Sequence, residues 1–144
     1  MTQVERIISR GQLVPLLFSQ DAVADAQTAA AMNIIETGAT TGTLDAAEYQ
    51  MPWDFEIVGI SVVSGAARTA GTLTVDATID GTVTGLQAAL DATNTLRDYG
   101  TQARGSDRGV AGSRVGCKLT TTSWTPTTAD IAVIVWVLAY LEGI

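Results

Sequence analysis

The sequence predicts an all-β domain, an antiparallel sandwich or barrel, on three grounds. Short segments alternate apolar and polar residues with period two, most clearly LTVDATI at 73–79. Turn signals recur every 8–15 residues, with Asp80–Gly81 the sharpest. The composition is rich in Thr, Ala and Gly and has no long charged stretch, which suits small residues packed between sheets. A chain of 144 residues is about one domain and buries roughly two-thirds of its unfolded surface, so it needs no metal or disulfide staple. No linker or internal repeat divides it.

Residues 1–11 are polar and end in Gly11. QLVPLLF at 12–18 is a short apolar strand whose Pro15 marks an edge or an extended arm. DAVADAQTAAA at 21–31, with Ser19 or Asp21 as cap, has the propensity of a helix and equally fits strand and loop. MNIIE at 32–36 reads as a strand and GATTG at 38–42 as a turn-rich link. Pro52 and Asp54 form a turn before a strand at 56–64, followed by a loop carrying Arg68.

The stretch LTVDATIDGTVTGL at 73–86 raises a calcium question, because Asp76, Asp80 and Gly81 sit at positions one, five and six of an EF-hand-like loop. Position twelve is Gln87 instead of a bidentate Glu, and the flanks alternate as strands. A hairpin is expected instead, with Asp80–Gly81 supplying the positive φ angles of its turn. The phase of Leu86, Ala88 and Leu90 is broken relative to Val83, which places a bulge near Gly85; the same residues also fit a helical turn. A further strand is expected at 96–103, a glycine-rich loop at 104–114, a strand from 114 to about 121, and a turn at SWTPTTAD.

The last strand, IAVIVWVLAYL at 131–141, is apolar on both faces. Ile131, Val133, Val135, Val137 and Leu141 lie on one side and Ile134, Trp136, Leu138 and Tyr140 on the other. One side fills a core. Burying each large apolar side chain is worth roughly 1.5–3 kcal/mol, so something must cover the second. Either the N-terminal segment or a neighbouring copy would do this. Ile134, Trp136, Leu138 and Tyr140 are therefore the candidate oligomer interface.

Little chemistry is written here. The chain has no histidine, which removes the commonest general base, the usual zinc ligand and every histidine-dependent triad. No G-x-S-x-G and no P-loop occurs. Asp54 and Glu56 read as solvated turn acids. No catalytic residue, cofactor or metal is assigned, and the chain is expected not to be an enzyme. A net charge of −7 speaks against a nucleic-acid partner. The longest apolar run is too short to span a bilayer as a helix, and the N-terminus lacks the pattern of a signal peptide, so a soluble chain made in a cytoplasm is expected. Cys117 is the single cysteine and forms no internal disulfide. Arg97, Arg104, Arg108 and Arg114 are half of the eight cationic side chains. They read either as a solvated loop or as a dock for an acidic partner. Trp53 and Trp124 sit beside prolines and read as rim packing or as a sugar-stacking platform.

Three stretches carry a resemblance: MPWDFEIVGISVVS at 51–64, AGTLTVDATIDGTVTGLQAALDATNT at 70–95 and VAGSRVGCKLTTTSWTPTTADIAVIVWV at 110–137. Their rhythm of strands and turns resembles tailed-bacteriophage head decoration, or cement, proteins. A similar rhythm occurs in trimeric tumour-necrosis-factor-like tip domains of spore-surface filaments. The first resemblance implies a jelly-roll-like antiparallel β-sandwich over 13–144 with an extended N-terminal arm at 1–12. It implies a structural virion protein made in the host cytoplasm and bound to the outer capsid surface. Its partners would be itself, as a homotrimer, and the major capsid protein, with no membrane and no nucleic acid. On the charge reading above, and not from the resemblance, Arg104, Arg108 and Arg114 would be the candidate capsid-contact loop. The second resemblance implies a trimeric receptor- or glycan-binding tip of a phage fibre or spore filament. The motifs mark strands and turns alone, so they transfer no functional residue.

Overall fold

The computed structural model describes residues 11–34 and 48–141. Residues 1–10 of the expected arm and the expected link at 38–42 lie outside these. Among the described residues there are ten strands and no helix: β1 (Gln12–Gln20), β2 (Ala30–Ala31), β3 (Glu48–Gln50), β4 (Phe55–Ser64), β5 (Ala70–Ile79), β6 (Thr82–Leu90), β7 (Arg97–Thr101), β8 (Arg108–Gly109), β9 (Arg114–Thr125) and β10 (Ile131–Ala139).

The architecture grows from one local event. Asp80 and Gly81 adopt φ of 51° and 82°, the left-handed pair that a two-residue hairpin turn needs, and β5 pairs with β6 around them. Each earlier strand then pairs with its counterpart beyond that turn. β4 takes β7 and β8, β2 and β3 take β9, and β1 takes β10. This long ribbon is rolled so that β10 also pairs β4, and β9 also pairs β5. The outcome is a front sheet ordered β1-β10-β4-β7 with β8 on β4, and a back sheet ordered β2-β9-β5-β6 with β3 on β9. All pairings are antiparallel. This is a two-sheet sandwich with the rolled connectivity of a jelly roll.

The core lies between the sheets. Phe18, Phe55, Ile57, Ile60, Ile131, Val133, Val135 and Val137 come from the front, and Leu73, Val75, Leu90, Val115, Leu119 and Trp124 from the back. One side of the sandwich closes where β7 approaches β6: a Cβ on Gly100 would stand 2.5 Å from the Gln87 carbonyl oxygen. The other side closes through Tyr49, whose hydroxyl lies 2.8 Å from the Ile34 carbonyl and 2.9 Å from that of Leu17. The bulge expected near Gly85 is present. β6 slips against β5 between Asp76 and Thr78, and Gly85 has φ of 90°.

Residues 21–29 form no helix. The backbone N–H groups of Ala22, Val23, Gln27 and Ala29 bond to distant partners instead of within the segment. Val23 N–H donates to Ala129 O at 3.0 Å, Gln27 N–H to Thr121 Oγ1 at 2.9 Å, and Trp124 N–H to Asp25 Oδ1 at 2.8 Å. Val23 is fully buried. Ala22, Ala26 and Ala29 accept positive φ to reach these partners, a cost of roughly 1–2 kcal/mol per residue. Long-range pairing has overridden alanine's helical preference.

The carboxylates of the calcium question bind protein donors. Asp80 Oδ1 accepts Arg114 N–H at 2.9 Å, and Asp76 Oδ1 accepts Gln87 Nε2–H at 2.9 Å. The Arg114 N–H holds the Asp80 carboxyl below the usual range against partial desolvation, aided by Ser113 and by the Arg114 charge. Asp91 is lowered in the same way by the N–H groups of Asn94 and Thr93. A carboxyl lowered by folding stabilises the fold above its unfolded pKa of about 3.9 and loses that contribution as pH falls through the folded value. Asp80→Asn is therefore expected to flatten the fall of melting temperature below about pH 4. An unchanged acid limb in a pH series of thermal melts would refute this.

Candidate assembly interface

β10 sorts its residues as the alternation requires. Ile131, Val133, Val135, Val137 and Ala139 are buried in the core. Ile134, Trp136 and Leu138 point to the outer face of the front sheet, and Tyr140 follows just past the strand; all four are half-buried. The register builds a patch around them. On β1, Leu17, Pro15 and Leu13 stand opposite Ile134, Trp136 and Leu138. On β4, Ser61, Gly59 and Glu56 stand opposite the same three, with a shift between Trp136 and Val137. Tyr99 of β7 lies opposite Ser61, and Arg97 opposite Val63.

The patch is apolar and open among the described residues. Leu13 and Leu17 are each 58% exposed, Val63 43% and Tyr99 75%. Trp136 packs over Gly59, where a Cβ would stand in ordinary contact at 3.5 Å from its Cδ1. A groove of about 620 Å³ runs between Leu17, Val63, Ile134 and Tyr99. The outer face of the back sheet has the opposite character. There Thr74 stands opposite Thr120, Thr72 opposite Thr122, and Asp76 opposite both Lys118 and Gln87. Antiparallel sheets commonly wet one face. The back sheet follows that rule and the front sheet departs from it.

One end of this face is closed by a loop. Glu56 belongs to the outer side of β4 yet is fully buried. Residues 102–107 are tied down over it: Gln102 Nε2–H donates to Ile57 O at 2.8 Å and Ile57 N–H to Asp107 O at 2.9 Å. Arg104 Nε pairs with Glu56 Oε1, Gly105 N–H donates to Oε2 at 2.8 Å, and Arg108 Nε lies 3.6 Å from Oε2. Arg104 Nη2 also donates to the Tyr140 hydroxyl at 2.9 Å. The two arginines remain 57% and 69% exposed.

The structure thus brings Arg104, Arg108 and Tyr140 together and sets Arg114 apart. Arg114 lies at the start of β9, with Glu48 at 3.3 Å and Asp80 at 3.6 Å. Trp124 is fully buried and offers no stacking surface, whereas Trp53 is 45% exposed. Cys117 is buried against Met32, Sγ to Sδ 3.6 Å. Burial, and secondarily the Asp76 charge, pushes its thiol up. Among the described residues, no three His, Cys, Asp or Glu side chains are grouped to hold a metal.

Sequence reasoning missed two things. Glu56 is a buried anchor and not a solvated acid; its signal was a charge inside an apolar strand, FEIVGIS. Leu13, Leu17, Val63 and Tyr99 join the apolar face. For β1 the signal was alternation, with Leu13 and Leu17 on one side and Leu16 and Phe18 on the other.

No protein-family model matches the chain, and no curated protein matches it. Among solved structures, it is similar to a chain of the acidic stable capsid structure of Helicobacter pylori bacteriophage KHP30. That match has 11% identity, covers 90% of this chain and 93% of that one, and has a TM-score of 0.49. It is also similar to a chain of the cryo-EM structure of Mud Crab Dicistrovirus, with 10% identity, 96% and 72% coverage and a TM-score of 0.37.

Proposed function

We propose that this chain is a structural virion protein: a decoration protein that assembles as a homotrimer and binds the outer surface of a phage head shell. The observation that carries this reading is the asymmetry of the two outer faces. One is a wet array of Thr, Asp, Lys and Gln, and the other presents Leu13, Leu17, Ile134, Trp136, Leu138 and Tyr99. A large exposed apolar patch marks an interaction surface. Jelly rolls serve shells, lectins and cupins. The chain has no histidine for cupin-type metal chemistry, and of the two tryptophans of the sugar-stacking reading Trp124 is buried and only Trp53 is exposed. A building block that packs against neighbours fits what remains. Binding only to the assembled shell would stabilise it by mass action.

Two measurements test the reading. Light scattering over a concentration range should give three times the monomer mass, and Leu17→Glu should shift it to the monomer without changing the circular dichroism spectrum. Leu17 is the substitution of choice because it is 58% exposed and its loss leaves the core intact. Removing residues 1–12 should weaken binding to purified head shells at least about tenfold, the scale of a lost ordered contact. Binding that is unchanged would sink the arm, and a wild-type monomer at every concentration would sink the trimer.

A further inference from the structure

An unpaired strand edge is a template for pairing with another chain. Most edges of this sandwich are short or covered. β2 and β3 are two and three residues long. β6 carries the bulge at Gly85 and meets β7 at Gly100, where a Cβ would stand 2.5 Å from the Gln87 carbonyl oxygen. β1 is different. It is nine residues long, ends the front sheet, and carries Leu13 and Leu17 on its exposed side.

The hydrogen bonds fix which main-chain groups face that edge. Ser19 N–H donates to Asn33 O at 3.0 Å, Asn33 N–H donates to Ser19 O at 3.1 Å, and Leu17 O accepts the Tyr49 hydroxyl at 2.9 Å. None of these partners is on β10, so Ser19 and Leu17 turn their main-chain groups away from it. In an antiparallel pair that direction alternates residue by residue. Leu13 and Pro15 therefore face the edge too, while Val14, Leu16 and Phe18 bond to β10. The register with β10 runs unbroken from Gln12 opposite Ala139 to Gln20 opposite Ile131, straight through Pro15 opposite Trp136. Proline's missing N–H falls on the free edge and takes nothing from the ladder. One position either way, it would break a bond to β10. Asn33 and Tyr49 cover the Ser19 end of the edge, and Leu13, Pro15 and Leu17 stay exposed among the described residues.

We infer that Pro15 guards against one specific contact: antiparallel pairing of β1 with β1 of a second copy. A two-fold axis through Pro15 would set Leu13 of each copy opposite Leu17 of the other, and these apolar cross-strand pairs favour the contact. The same axis sets the two prolines opposite each other at its centre. Neither can donate there, and each ring fills the place where an N–H would reach the other copy's carbonyl. Strand addition draws its strength from main-chain bonds, and these are lost at the middle of the contact. The front sheet is thereby kept from fusing edge to edge with its copy. This goes beyond the assembly read above: it concerns a contact that the fold excludes, and it holds whatever the mass of the wild-type particle.

Pro15→Thr tests it, because threonine restores the donor on the edge without adding apolar surface. The variant is expected to keep the circular dichroism spectrum and to show a mass at least about twofold that of wild type in light scattering at matched concentration. In the associated species the Leu13 and Leu17 amides should exchange with solvent at least about tenfold more slowly. Pro15→Ala supplies the same donor should threonine disturb the fold. Wild-type mass for both variants at every concentration overturns the guard. So does a raised mass without slower exchange at Leu13 and Leu17, which puts the contact elsewhere. Val14→Pro checks the phase. Moved by one residue, proline breaks a bond to β10 and should lower the melting temperature by at least about 5 °C. A Val14→Pro variant as stable as wild type overturns the phase, and the guard with it.

Discussion

Replacing Trp124 by alanine is expected to remove about 3–5 kcal/mol of stability, the range for deleting a large buried aromatic side chain. Trp124 is fully buried near the end of β9, and its backbone N–H holds Asp25 at 2.8 Å. The loss comes from dispersion contacts and from a cavity that rigid neighbours cannot fill. Trp124 Nε1 has no hydrogen-bond partner among the described residues, so Trp124→Phe should cost far less, because no bond is broken and most of the volume stays. Urea denaturation of both variants decides it. Equal losses for Phe and Ala would mean that the indole N–H is bonded after all.

Removing both Arg104 and Arg108 has a comparable expected effect for a different reason. Glu56 would keep only the Gly105 N–H while staying buried under the 102–107 loop. A buried charge left without its partner costs about 3–5 kcal/mol. The diagnostic is rescue. Adding Glu56→Leu to the double-alanine variant should recover most of the loss, since an apolar side chain beside Leu138 needs no counter-ion. A double-alanine variant within about 1 kcal/mol of wild type would mean that the arginines are the solvated surface charges of the sequence reading.

The elements that were legible in the sequence share one property: their signal is local. Asp80–Gly81 specifies its own turn because few residues tolerate two successive positive φ angles. β10 announces two apolar faces through alternation alone. The bulge at Gly85 shows as a phase break within five residues. The segment at 21–31 defeats the same method. Its alanines favour a helix locally, yet its donors are claimed by Ala129, Thr121 and Thr120, roughly 90 to 110 positions away, and no window of sequence contains that competition.

The candidate face divides in the same way. Ile134, Trp136, Leu138 and Tyr140 were readable because they alternate on one strand. Leu13 and Leu17 joined them only when β1 was set beside β10, and Tyr99 only through β4 and β7. Arg104 and Arg108 stood in the sequence as an isolated cationic cluster. Their pairing with Glu56 spans 48 positions or more and required the loop to fold across the sheet.

By itself the sequence determined the all-β class, the central hairpin, the two-faced closing strand and the absence of histidine chemistry. These follow from backbone preferences and side-chain alternation that each segment carries alone. The tertiary structure decided that β1 lies against β10, that one outer face stays apolar while the other is wet, and that a buried glutamate gathers two arginines at its end. Those are properties of residues far apart in the chain, 48 positions for Glu56 and Arg104 and more than a hundred for β1 and β10, chosen by the burial free energy of the whole chain and not by any part of it.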